Sequence, residues 1–132
     1  MKKRAVYFLI GLFLIFCVLL GLLSANPVQE FDLNAYRPYL ESYPGDIVLG
    51  PVATAEEAIS AAKVVWMQIY GHTHHADRVS VYYDEVQSVW LLQGHNPLLS
   101  FDDGFCISAI GGEPYIIIRQ DTGEVLAVWH TK

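Results

Sequence analysis

Two cysteines occur in the 132 residues, Cys17 and Cys106, and the first lies inside an uncharged apolar run. No disulfide can therefore close within the part of the chain that follows, which must hold together by packing alone. Cys106 is expected as a buried thiol rather than a nucleophile. Basic residues are also few: eight Lys and Arg stand against fourteen Asp and Glu. Three of the eight, Lys2, Lys3 and Arg4, precede the apolar run, while every acidic residue lies after residue 29, so the remainder carries a formal charge of −9. Such a surface repels nucleic acid phosphates and anionic lipid, and it favours a basic partner through electrostatic steering.

Charge is missing altogether from residues 5–25, "AVYFLIGLFLIFCVLLGLLSA". At about 1.5 Å per residue, a helix of this length spans about 30 Å, enough to cross a bilayer. The run inflates the hydrophobic share of 53%, which without it would suggest a deep core. The basic cluster ahead of it predicts a cytoplasmic N-terminus and an extracytoplasmic domain. A cleaved secretory signal is the competing expectation, because Ser24, Ala25 and Asn26 offer small residues at a cleavage point. Leu23 and the length of the run speak for an anchor. A lipoprotein is excluded by the bulky Phe16 before Cys17.

The expected organisation is a membrane anchor or signal over 1–25, a proline-containing tether over 26–52, and one folded domain over 53–132. Pro27, Pro38, Pro44 and Pro51 exclude a long regular helix from the tether. Phe31, Tyr36, Tyr39 and Tyr43 are too many aromatics for a solvated linker, so part of it should dock. Thr54 and Glu57 have the spacing of a capping box, which starts a helix. Apolar residues recur along one face at Ala58, Ile59, Ala62, Val65, Trp66 and Ile69, and Gly71 supplies the stop. The period then changes to two. Residues 78–84 and 88–94 read as a hairpin, 104–112 as a third strand, and 114–131 as two strands turning at Asp121, Thr122 and Gly123. The fold class is α+β, with one principal helix packed on an antiparallel meander. Trp66, Ile69, Trp90, Leu92, Ile107, Ile116, Ile118 and Val128 are the expected core.

No pattern assembles a catalytic centre. His72, His74 and His75 follow a helix end, where an exposed loop is the simplest reading, and a zinc site would need further ligands with their own support. A single "DTG" at 121–123 fits a hairpin turn, with Asp121 bonding its own backbone, since an aspartic protease pairs two such aspartates. "DDG" at 102–104 lacks the further oxygen ligands of a calcium loop. Gly111 and Gly112 precede Glu113 and Pro114 rather than a helix, so no phosphate cradle is expected. Catalytic residues, metal ligands and cofactors are accordingly none.

Taken in order, "GPVATAEEAISAAKVVWMQIYG", "VWLLQG" and "GGEPYIIIRQDTGEVLAVWHTK" resemble the immunity proteins with a nuclear transport factor 2 fold of bacterial polymorphic toxin systems. The resemblance covers residues 50–132. It rests on the acidic helix start, the Tyr70-Gly71 end, Trp90 and Gly94 in a strand, and Gly111, Gly112, Gly123 and Lys132 in the closing hairpin. It implies an α+β domain with a curved sheet wrapped around a helix, and binding and neutralising of a cognate toxin by occlusion, without catalysis. The leader and the segment "NPLLSFDDGFCISA" depart from the family's pattern. The first places the encounter outside the cytoplasm, and the second is a candidate contact loop.

For the contact itself the sequence offers Asp84 and Glu85 in one turn and Asp102 and Asp103 in another, a four-carboxylate patch suited to a basic toxin face. The rival reading is a small extracytoplasmic enzyme or ligand-binding domain that uses the cone of the same fold. A pocket lined by His and Asp with perturbed pKa values would favour that rival.

Overall fold

The computed structural model describes residues 6–7, 10–18, 27–43, 45–71, 78–95, 100–102, 105–107 and 112–131, the strands at 100–102 and 105–107 by backbone alone. Residues 6–7 and 10–18 are helical, and their apolar side chains are exposed. Among the described residues no helix is long and apolar enough to cross a membrane.

The architecture is α+β. Strand β1 (Val28–Glu30) leads into a single 3-10 turn (Leu33–Tyr36) and helix α1 (Arg37–Ser42), and the main helix α2 spans Ala55–Tyr70. Then come β2 (Arg78–Asp84), β3 (Val89–His95), β4 (Ser100–Asp102), β5 (Phe105–Ile107), β6 (Pro114–Arg119) and β7 (Val125–His130). Five strands form one sheet in the order β1-β2-β3-β6-β7, and β4 and β5 form a separate pair.

Two expectations need correction. The sheet is mixed rather than antiparallel, because β1 pairs in parallel with β2, Val28 opposite Val81 and Glu30 opposite Tyr83. Three residues carry too little periodicity to announce a strand. Nor is 104–112 one strand of the meander: β3 pairs directly with β6, Leu91 opposite Ile117, while Phe105–Ile107 folds back on Ser100–Asp102. The β4–β5 ladder pairs these two strands with each other, apart from the main sheet.

Helix α2 starts as its sequence dictates. The Thr54 side chain accepts from the Glu57 N–H at 3.2 Å, and the Glu57 carboxylate reaches back to the N–H groups of Ala53 and Thr54. It stops at Gly71, whose φ of 75° places it in the left-handed region. Its buried stripe is Ala58, Ala62, Val65 and Trp66, packed on Val81, Trp90, Leu92, Ile116 and Ile118 of the sheet. Both buried indoles also find carbonyls: Trp90 Nε1 donates to Val52 O at 2.9 Å and Trp66 Nε1 to Tyr115 O at 3.3 Å. Ile69 is not core. It is 45% exposed, because the stripe ends on Tyr70 and the neighbouring position is turned about 100° round the helix. Val128 packs at the margin of this cluster, and the side chain of Ile107 lies outside the described residues.

The opposite face of the sheet buries Val89, Leu91, Ile117 and Ala127 beneath Phe31, Leu33, Tyr36, Leu40 and Tyr43. These come from the proline-containing segment, whose aromatics dock as their number implies. Pro38 sits in the first turn of α1, where its missing N–H has no intrahelical partner to lose. Residues 47–52 then run beside the β6–β7 turn, with Leu49 N–H donating to Gly123 O at 2.9 Å. Gly123 takes φ 70°, and a Cβ there would stand 1.8 Å from Gly50 O, so both turn and approach require glycine. A side-chain acceptor in that turn is Thr122, bound by the Glu124 N–H, rather than the Asp121 expected there.

Candidate functional site

Period two along the strands sets a second group of residues on the face that carries Leu91 and Tyr115. Ser80 and Tyr82 come from β2, Gln93 and His95 from the end of β3, and Glu113 from the residue before β6. Ser80 faces Gln93 across the ladder, and Gln93 faces Tyr115. The register therefore gathers these side chains at one end of the sheet.

They form a continuous hydrogen-bonded array. Ser80 Oγ lies 2.7 Å from His95 Nε2, and His95 Nδ1 lies 3.0 Å from Glu113 Oε1. Gln93 Nε2 donates to the other carboxylate oxygen, Glu113 Oε2, at 2.6 Å, and the Glu113 N–H donates to Thr131 Oγ1 at 2.9 Å. The hydrogen bond from His95 holds the Glu113 carboxyl below the usual range, against the opposing pull of partial burial, with Gln93 adding to the lowering. An ionised Glu113 selects the ring tautomer protonated at Nδ1, which leaves the Nε2 lone pair facing the serine hydroxyl. Side-chain exposures of 27% for His95 and 38% for Glu113 leave the array open to solvent.

A cavity of about 510 Å³ adjoins it, lined by Pro27, Ile59, Lys63, Arg78, Val79, Ser80 and His95. It lies where β1 begins, so that the Arg78 end of β2 runs on beyond its edge neighbour. Lys63 on α2 and Arg78 on β2 supply two cations to its wall. Two residues after Glu113, the Tyr115 ring stacks on Trp129 at 5.0 Å, and Trp129 stacks on Tyr39 at 4.2 Å. Burial and the nearby Glu113 charge push the Tyr115 hydroxyl up in pKa.

The acidic residues singled out from the sequence are placed differently from one another. Asp84 is the last residue of β2 rather than a turn carboxylate, and it is 6% exposed. Its oxygens accept from Leu33 N–H at 2.9 Å and Gln87 N–H at 3.0 Å. Those bonds, the Leu33 one first, hold its pKa down despite the opposing effect of burial. Asp84 is thus a fastening between the sheet and the strap, residues 31–43, that covers this face, and it is unsuited to a rim contact. Glu85 is exposed in the turn that follows. Asp102 lies in β4, and its side chain, Asp103, Gly111 and the histidines His72, His74 and His75 lie outside the described residues, as does the Cys106 side chain. Among the described residues no group of three or more His, Cys, Asp or Glu is placed to hold a metal ion.

The model of a family described as NTF2 fold immunity protein matches residues 57–132, from the first turn of α2 through the closing hairpin. This chain belongs to the NTF2 fold immunity protein family. The match covers more than half of the sequence and both layers of the α2 packing. An immunity role in general follows from that membership. No curated protein and no solved structure matches the chain.

Sequence reading missed Ser80 and Glu113 and left His95 isolated. The three are 15 and 18 positions apart along the chain. Only the β2–β3–β6 register joins them, and a correct strand alignment was the signal from which they could have been found.

Proposed function

We propose that the protein protects by binding a cognate protein toxin and covering a surface the toxin needs, with no chemistry performed on the toxin. The observation that carries this reading is the family match over residues 57–132. The charge of −9 beyond the apolar leader favours a toxin with a basic face. Glu85 is the exposed carboxylate of the β2–β3 turn and Asp102 ends β4; with Asp103, the next residue in sequence, these three replace the four-residue patch. Residues 5–25 anchor the chain in a membrane, with the domain on the extracytoplasmic side. Support comes from their freedom from charge and from the exposure of Ile10, Leu12, Phe13, Leu14, Ile15, Phe16 and Val18, each at least 50%.

The test is to co-express the chain with any protein toxin found encoded beside its gene, and then to measure binding kinetics of the purified pair over a salt series. Protection together with a stoichiometric complex is expected. Neutralising Glu85, Asp102 and Asp103 should slow association and flatten its salt dependence, leaving dissociation nearly unchanged. Protection without any complex would remove occlusion as the mechanism.

A further inference from the structure

The array at the sheet end has an order that simple polar packing does not require. A hydroxyl meets one ring nitrogen, a carboxylate meets the other, and a glutamine holds the second carboxylate oxygen. Ser80 and His95 border the cavity, whereas Glu113 does not line it. We propose that Ser80 is a nucleophile, with His95 as its base and Glu113 as the positioning residue, and that the cavity takes small esters bearing an anionic group. This activity is separate from toxin binding.

The chemistry follows from the geometry. As Ser80 Oγ attacks the ester carbonyl carbon, its proton passes to His95 Nε2, 2.7 Å away. The bond from that carbon to the leaving oxygen then breaks, and the proton on Nε2 goes to the departing alkoxide, releasing an alcohol. Water attacks the acyl-serine next, giving its proton to Nε2. The carboxylic acid departs as Oγ takes that proton back, which restores the starting state. Glu113 stays ionised throughout, fixing the ring and stabilising the transient imidazolium. Lys63 and Arg78 on the cavity wall select an anionic acyl or alcohol group.

The test uses the full-length chain in detergent micelles. A fluorophosphonate probe should add to Ser80, located by peptide mass, and Ser80→Ala should abolish the adduct while circular dichroism stays unchanged. Release of p-nitrophenolate should be faster from mono-p-nitrophenyl succinate than from p-nitrophenyl acetate, and Lys63→Gln with Arg78→Gln should remove that preference. His95→Gln should slow the reaction by about 100-fold or more. Glu113→Gln should change the shape of the pH–rate profile, because Gln can donate to Nδ1 and turn the tautomer round. The groups bearing on that profile are His95, Glu113, Lys63 and Arg78. No adduct on the wild-type chain, or an adduct that persists in Ser80→Ala, overturns the proposal. Protection by Ser80→Ala equal to wild type is expected, and its loss would tie the serine to toxin contact instead.

Discussion

The two faces of the sheet are held by different means. On one, the 16-residue helix α2 presents a regular stripe, and Trp66, Val65, Leu92, Ile116 and Ile118 are essentially sealed from solvent. On the other, a six-residue helix and a four-residue 3-10 turn cannot supply such a stripe. That face relies on aromatic rings and one buried carboxylate, Asp84, and leaves its far end to a hydrogen-bonded polar array. Periodic burial gives stability without chemistry. The irregular cover gives a less continuous core, and it leaves room for a polar array open to solvent.

If this contrast is right, the largest loss comes from the helical face. Trp66→Ala removes a fully buried indole from the centre of the α2 packing, and should cost about 3–5 kcal/mol. Chemical denaturation followed by far-UV circular dichroism is the measurement. A loss under about 1 kcal/mol would mean that the strap, and not α2, dominates stability.

Asp84→Ala probes the other face. Two backbone N–H groups, of Leu33 and Gln87, lose their acceptor, and leaving such groups unsatisfied costs about 1–3 kcal/mol. The loss should appear first as faster hydrogen exchange at Leu33. A pH signature accompanies it. The folded pKa of Asp84 lies below its ordinary value of 3.8, so its contribution is fully present above that value and is lost as pH falls through the lowered folded value. Wild-type stability should therefore decline in that acid range more steeply than that of Asp84→Ala. Parallel curves would show that the strap is fastened by its rings alone.

The same contrast explains what was legible beforehand. Helix α2 could be read with its ends, because Thr54, Glu57 and Gly71 act through bonds to neighbours a few residues away. Trp90, Leu92, Ile116 and Ile118 could be read because alternation reports which face a strand residue takes. β1 could not be read, since it exists by virtue of a partner more than fifty positions later in the chain. Asp84 looked like a turn residue because only the docked strap gives it partners. The Ser80, His95 and Glu113 array stayed hidden for the same reason: its spacing is written in strand register and not in sequence.

A smaller effect is expected at the helix start. Thr54→Ala deletes the acceptor of the Glu57 N–H and should cost about 1 kcal/mol. The bonds from Glu57 to Ala53 and Thr54 N–H would remain, so Thr54→Ala combined with Glu57→Ala should cost more than Thr54→Ala alone. Equal losses for the single and double variants would mean that tertiary packing, and not the cap, sets where α2 begins.

The smallest effect should come from the turn beside Asp84. Val86 is 91% exposed, two positions after a residue that is 6% exposed, so the turn carries a fastening at its base and an uncovered methyl pair at its tip. Val86→Ser removes almost no buried surface and should alter stability by no more than about 0.5 kcal/mol. Its Gln87 neighbour still donates to Asp84, which keeps the turn closed. Measured beside Asp84→Ala in the same denaturant series, Val86→Ser should leave the midpoint almost where it was. A loss as large as that of Asp84→Ala would mean that Val86 is covered by another part of the chain. Unchanged stability with weaker toxin binding would place this tip, together with Glu85, inside the proposed contact.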